Sequence, residues 1–160
     1  MATTVFLLRI LHIVLGILWV GPVVFIALFL EPTFRTLGPD AGKVIGELTR
    51  RRFSAYLLLF AIITVLSGIA LFALAVRSWG TDWMKTGSST VFQLGATFAI
   101  VALAIGGMWV RPAAERLGAP GGAQLPEAPA LRNRLKVGGR IVSVLLVLAA
   151  TCMAVARYVP

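Results

Sequence analysis

The residues best suited to chemistry lie inside long apolar stretches. His12 is the only histidine of the chain, and it lies about two helical turns into the first stretch. Arg9 precedes it by about one turn and Gly16 follows it by about one turn, so the three lie on one helix face. Because polar groups within apolar spans are costly, they usually face a bundle interior or a site.

This face carries the residue types of a haem or copper site. An imidazole binds haem iron, an arginine pairs with a propionate, and a glycine leaves room for the macrocycle. The same imidazole binds copper when another helix supplies sulfur ligands. We therefore predict His12 as the metal ligand, with Arg9, Gly16 and Met153 as further cofactor-binding residues. The predicted cofactor is haem b, copper is the alternative, and a protein without cofactor remains open.

Candidate partners of His12 follow from depth in the predicted spans. Five side chains fall within a turn or two of its level: Ser67, Gln93, Thr97, Cys152 and Met153. Met153 is the preferred second ligand for haem or Cu(I), whereas Ser67 or Gln93 would hold the other imidazole nitrogen. A histidine that hydrogen-bonds a hydroxyl or an amide across a bundle needs no cofactor, and this structural role is the alternative.

Four apolar runs must position these residues. Of the 160 residues, 59% are hydrophobic and only 13% are charged, a composition that a soluble domain of this size has too little interior to bury. We predict an all-α integral membrane protein, a four-transmembrane-helix bundle in one domain covering residues 1–160. The spans are expected at about 5–30, 53–77, 90–110 and 138–158, joined by connections at 31–52 and 111–137. Pro22 is expected to kink the first span. Small residues at four-residue spacing favour close helix contacts: Gly95 with Ala99, Ala102 with Gly106, and Ala150 with Ala154.

The distribution of charge predicts the orientation. The first and third connections with their flanks hold most of the 15 basic residues: Arg35, Lys43, Arg50, Arg51, Arg52, Arg111, Arg116, Arg132, Arg134, Lys136 and Arg140. By the positive-inside rule these connections are cytoplasmic and both termini lie outside, in a bacterial inner membrane. The expected partners of the basic residues are anionic lipids at the cytoplasmic face, and not nucleic acid, despite a net charge of +9.

Two connections have distinct patterns. The first holds an amphipathic helical pattern around Val44, Ile45 and Leu48, with Asp40 as the expected N-cap. It is either an interfacial segment or an extension of the second span. The stretch 118–129 is rich in Gly, Pro and Ala and is expected to be a flexible loop. No internal repeat is evident along the sequence.

Three short motifs resemble a family of bacterial membrane proteins. Leu11-His12-Ile13 followed by Leu18-Trp19-Val20-Gly21 resembles the opening of copper-resistance D-type proteins and of the related HemJ-type protoporphyrinogen oxidases. Arg52-Phe53-Ser54 leading to Ser67-Gly68, and the end of the chain from Met153 to Tyr158, are similar to the same group. The resemblance implies an inner-membrane bundle whose first-span histidine is associated with haem b. Members usually carry a lysine early in the third span, where this chain has Gln93, so His12 alone carries over as a ligand.

Two functions are compatible with these features. One is a membrane protein that binds haem or copper through His12, in electron transfer or in porphyrin or copper handling. The other is a non-catalytic accessory subunit or assembly factor of a larger membrane complex, and a homodimer is also compatible with the pattern. No phosphate loop, nucleophile elbow, zinc motif or dinucleotide fingerprint occurs, so the sequence names no catalytic residue.

Overall fold

Four long helices dominate the computed structural model, which describes residues 2–38 and 41–159. The regular elements of these ranges are all helical: α1 (Ala2–Phe25), α2 (Glu31–Leu37), α3 (Ala41–Arg50), α4 (Phe53–Trp79), α5 (Gly87–Ile105), α6 (Arg111–Gly118) and α7 (Ala128–Val155). Four helical segments are long and apolar enough to cross a membrane: Ala2–Phe34, Phe53–Trp79, Gly87–Gly118 and Ala128–Tyr158. These findings agree with the predicted helical class and with a protein of the membrane.

The long helices pack as two antiparallel hairpins. In the first hairpin α1 packs against α4, and in the second α5 packs against α7. A core of Trp19, Ala61, Ala102, Val142 and Leu146 joins the two hairpins near the middle of the bundle. One end carries the first and third connections and is called the basic end here, and the other carries both chain termini and is called the terminal end.

Small residues set the close approach within the second hairpin. A side chain at Gly95 would meet Cβ of Cys152 at 2.9 Å and the carbonyl oxygen of Ala149 at 3.3 Å. Ala102 is fully buried in the central core. Ala150 and Ala154 are exposed, so this part of the predicted small-residue pattern does not lie at a helix contact.

The helix that carries the fourth predicted span begins before that span. Helix α7 begins at Ala128, with a proline in its first turn, rather than near residue 138. Proline is favoured there because the first helical N–H groups have no partner inside the helix. The early start places Ala128 and Leu131 in a small second core with Ala113 and Leu117 of α6. The expected flexible loop is therefore shorter, and it contains a turn of 3₁₀ helix at Gly122–Gln124.

The first connection forms a helix separate from the second span. Helix α3 confirms the amphipathic pattern, and the residue expected as its N-cap, Asp40, lies outside the described residues. The backbone breaks at Arg52, whose φ of 55° and ψ of 29° are left-handed. Helix α3 then packs on α6, where a side chain at Gly118 would overlap Thr49.

The first span departs from α geometry after Pro22 rather than at it. Helix α1 continues through Pro22 to Phe25 and is followed by a π turn at Ile26–Leu30. The N–H of Glu31 donates to the carbonyl of Ile26, which is a π-type bond. The next residue, Pro32, has no N–H, and its ring would clash with the preceding helical turn. The wider turn accommodates this proline.

The same arrangement occurs a second time at the end of the third span. Gly106–Val110 forms a π turn, Arg111 donates to the carbonyl of Gly106, and a proline follows. The two segments match at a constant offset of half the chain length, as Glu31-Pro32 with Arg111-Pro112, Arg35 with Glu115, and Leu37-Gly38 with Leu117-Gly118. The expectation of no internal repeat is therefore wrong. The two segments share only a few identical turn residues, and acidic and basic residues exchange places between them. The repeat is therefore not evident from the sequence.

Candidate functional site

His12 lies at the contact between the two helices of the first hairpin. Its side chain is half-buried and faces one turn of α4 that contains Thr64, Ser67 and Gly68. Thr64 and Ser67 are among the few buried polar residues of the bundle. Ser67 lies at the level of His12, as expected, and of the two predicted alternatives, Ser67 and Gln93, it is Ser67 that contacts the imidazole.

The hydrogen bonds of Nδ1 determine the tautomer of His12. Nδ1 lies 2.9 Å from the carbonyl oxygen of Thr64 and 3.2 Å from Oγ of Ser67. Ser67 itself donates to the same carbonyl at 2.9 Å. Because a carbonyl only accepts, Nδ1 carries the proton and donates it. In the neutral ring Nε2 then holds the free lone pair, which is the form that binds a metal.

Gly68 is needed for this position of the imidazole. A Cβ at Gly68 would lie 2.9 Å from Cε1 of His12, closer than such atoms normally approach. Gly16, in contrast, faces α4 and packs near Thr64, whose Cγ2 would be 3.7 Å from a Cβ there. Gly16 thus serves the contact between α1 and α4. Its predicted role of admitting a macrocycle stays a prediction.

Two further polar atoms characterise the site. Nε2 of His12 has no hydrogen-bond partner among the described residues. The Oγ1 of Thr64 is buried and also has no partner in the described part of the chain. Buried hydroxyl groups are normally hydrogen-bonded, so this one needs a water or another polar group. An imidazole nitrogen and a hydroxyl are thus both available next to the contact between α1 and α4.

The other predicted residues lie at or near the same level but not all on the same hairpin. Arg9 is exposed on α1, one turn nearer the terminal end. Gln93 donates to Oγ of Ser89 at 3.1 Å and to the carbonyl of Met84 at 3.4 Å. The amide of Gln93 is therefore bound to these two groups and not to His12. Thr97 is exposed and donates to the carbonyl of Gln93.

Met153 lies in the second hairpin. Its Cε would be 3.3 Å from a Cβ at Gly95, and Cys152 packs on the same glycine. Helical rise places Met153 and His12 at one depth, because each lies about 10 Å from the central core towards the terminal end. The described contacts nevertheless assign His12 to α4 and Met153 to α5.

No cluster of metal ligands is present in the described residues. Within these ranges no group of three or more His, Cys, Asp or Glu side chains is close enough to hold a metal ion. A metal held by several such ligands of a single chain is therefore not supported. A porphyrin iron needs fewer protein ligands, since the protein supplies only one or two axial ligands.

Charged side chains meet at the basic end of the bundle. Arg140 of α7 lies 3.4 Å from the carboxylate of Glu31, which joins the two hairpins, and Arg111 donates to Glu115 at 2.7 Å. In α3, hydrogen bonds from Arg50 and Arg51 lower the pKa of Glu47 to about 2. The sequence predicted anionic lipids as the partners of these basic residues. The Arg140–Glu31 pair was not predicted, because it joins residues on helices that are distant in the chain.

Comparison with known protein families, with curated proteins and with solved structures finds no match for this chain. The resemblance to copper-resistance D-type and HemJ-type proteins therefore stays a prediction.

Proposed function

We propose that this chain is a bacterial inner-membrane protein that binds haem through Nε2 of His12. Its role would be electron transfer, or the handling of porphyrin or copper. The observation that carries the proposal is the pair of hydrogen bonds from Nδ1 of His12, which leave Nε2 free. Metal-binding histidines usually donate their second ring nitrogen to a carbonyl or carboxylate in this manner.

The residues around His12 fit such a group. Thr64 and Ser67 orient the imidazole, and Gly68 provides the space in which it lies. The unpartnered hydroxyl of Thr64 is available to a polar substituent or to a water. Arg9, which is exposed one turn away on α1, would pair with a propionate. When bound, the haem would supply a one-electron redox centre within the membrane.

The proposed location follows from charge. The basic end carries the larger share of Lys and Arg, and the positive-inside rule assigns that end to the cytoplasm. His12 would then lie in the outer half of the membrane, away from the anionic lipids of the cytoplasmic leaflet. A second axial ligand from Met153 requires the two hairpins to approach at that level, and one from a second copy of the chain requires a homodimer.

The test is an absorption spectrum of the detergent-purified protein, oxidised and dithionite-reduced. We expect a Soret band that shifts on reduction and is lost in His12→Ala. The matched control is Ser67→Ala, which removes one contact of Nδ1 but keeps the ligand and the Thr64 carbonyl. That variant should keep the band with a shifted maximum.

A featureless spectrum with no copper by elemental analysis would overturn the proposal. The second candidate, a non-catalytic accessory subunit or assembly factor, would then be preferred. One observation favours it directly: the same hydrogen bonds let His12 join α1 to α4 without any cofactor. Copurification of further subunits with unchanged recovery of His12→Ala would support it.

A further inference from the structure

A cavity lies between the two hairpins on the other side of Trp19 from His12. It has a volume of about 210 Å³ and is lined almost entirely by apolar side chains from both hairpins. Trp19 belongs both to the lining and to the central core, so it separates the cavity from the terminal end. We call this space the inter-hairpin cavity.

Both copies of the repeated turn line the inter-hairpin cavity at equivalent positions. Its lining includes three pairs related by the offset of half the chain length: Ile26 with Gly106, Leu30 with Val110, and Glu31 with Arg111. The cavity therefore lies at the interface of the two repeats. In membrane proteins built from repeats, this interface is where ligand sites are commonly found.

A second apolar space lies beside the cavity. A neighbouring cleft is lined by Gly21, Pro22 and Phe25, and it shares four lining residues with the cavity: Ile26, Leu30, Leu48 and Phe53. Apolar cavities exclude water and take up apolar molecules. The proposed entry of a hydrocarbon chain into the cavity is through this cleft.

Among the described lining residues, the charged groups lie at the basic end of the inter-hairpin cavity. Glu31 and Arg111 both contribute to its lining, and each is paired with a residue of opposite charge, Arg140 and Glu115 respectively. The four charges sum to zero. A headgroup that carries both an anion and a cation complements this arrangement better than a headgroup with net charge.

We propose that the inter-hairpin cavity binds one zwitterionic phospholipid. An acyl chain occupies the apolar space, the phosphate lies at Arg111 and the ammonium group lies at Glu31. The preference for a net-neutral headgroup distinguishes this site from the basic surface residues, which attract anionic lipids whatever their acyl chains are. The site is independent of His12, and its failure would leave the haem proposal unaffected.

Native mass spectrometry tests the proposal. The delipidated full chain is mixed with equimolar phosphatidylethanolamine and phosphatidylglycerol of identical acyl chains. We expect one retained phosphatidylethanolamine per chain, at about fivefold or greater preference over phosphatidylglycerol. Equal retention of the two lipids, or a preference for phosphatidylglycerol, would contradict the zwitterionic site.

A filling variant tests the location. Gly106 lines the cavity, and a Cβ there would meet no atom within 4 Å. Gly106→Leu should therefore enter the open space and reduce retention by about tenfold or more. The matched control is Ala150→Leu, which adds the same apolar group to an exposed position of α7. Equal retention by the two variants would show that the lipid binds elsewhere.

A charge variant tests the site even if Gly106→Leu does not fold. Glu31→Gln leaves Arg111, Glu115 and Arg140 with a net positive charge. The preference should move to phosphatidylglycerol. An unchanged preference in a variant with unchanged far-ultraviolet circular dichroism would overturn the assignment of the ammonium group to Glu31.

Discussion

At the scale of single residues, the state of His12 follows from one carbonyl group. The Thr64 carbonyl accepts hydrogen bonds from both Nδ1 of His12 and the hydroxyl of Ser67, which a carbonyl can do because it has two lone pairs. The imidazole thus keeps one tautomer through two neutral groups, a carbonyl and a hydroxyl. A histidine with its proton held on Nδ1 can serve as a helix contact or as a metal ligand. Because the geometry fits both roles, spectroscopy is needed to separate them.

The space for the imidazole is expected to depend on Gly68. In Gly68→Ala the new Cβ would meet Cε1 of His12 at 2.9 Å. The ring must move, which strains its hydrogen bonds, and we expect a loss of about 1–3 kcal/mol in the free energy of unfolding. Thermal unfolding in detergent followed by circular dichroism measures it. The matched control is Gly106→Ala, where a Cβ meets nothing within 4 Å. A Gly68→Ala protein as stable as this control would refute the packing argument.

At the scale of elements, two of the prolines mark the places where the helix geometry changes. Pro32 and Pro112 each follow a π turn, because a proline removes a helical N–H and crowds the turn before it. Pro22, although it lies within the apolar run, is contained in α1. Identifying a proline in the sequence is therefore not sufficient to locate a change in helix geometry. In both places a short α-helix, α2 or α6, follows the π turn directly.

The junction of α3 and α4 gives an element-scale prediction. Arg52 has a left-handed backbone, with φ of 55° and ψ of 29°, which is unfavourable for a residue with a side chain. Arg52→Gly should relieve this strain and raise the free energy of unfolding by about 0.5–1 kcal/mol. Chemical denaturation in detergent measures the change.

A glycine elsewhere in a helix supplies the control for that prediction. Arg132 is exposed in the first turns of α7. Arg132→Gly removes the same charge from a regular helix and should lower the free energy of unfolding by about 1 kcal/mol. Destabilisation of the same size in both variants would show that the left-handed conformation at Arg52 carries no strain.

At the scale of the whole molecule, two hairpins with matching turns enclose a shared interior. Each hairpin buries small residues within itself, and the central core around Trp19 joins the two. The ion pair between Glu31 and Arg140 links them again at the basic end. The exposed side chains of the long helices are largely apolar, as expected for a surface in contact with lipid.

Orientation in the membrane is the prediction at this scale. Thr81 and Ala119 are exposed residues of the second and third connections. Single cysteines at these positions, in a Cys152→Ser background, are treated with a membrane-impermeant maleimide on intact cells. We expect labelling of Thr81→Cys from outside, and labelling of Ala119→Cys only after permeabilisation, because the basic end should be cytoplasmic. The reverse pattern would invert the topology.

The sequence by itself determined the helical class, the four long apolar helices and the level of His12. Apolar length and the fixed rise of a helix set these features, and both depend on local sequence. It also indicated Ser67 as a partner of the imidazole, since depth in antiparallel helices follows from counting residues.

Only the tertiary structure decided which helices pair. That pairing brings the Thr64 carbonyl and Gly68 to His12, gives Gly16 a role in helix contact, and leaves Met153 on the second hairpin. It also reveals the repeated turns and the cavity between them. These features arise from contacts between residues distant in the chain, and several apolar helices of similar composition offer no local signal of which faces will meet.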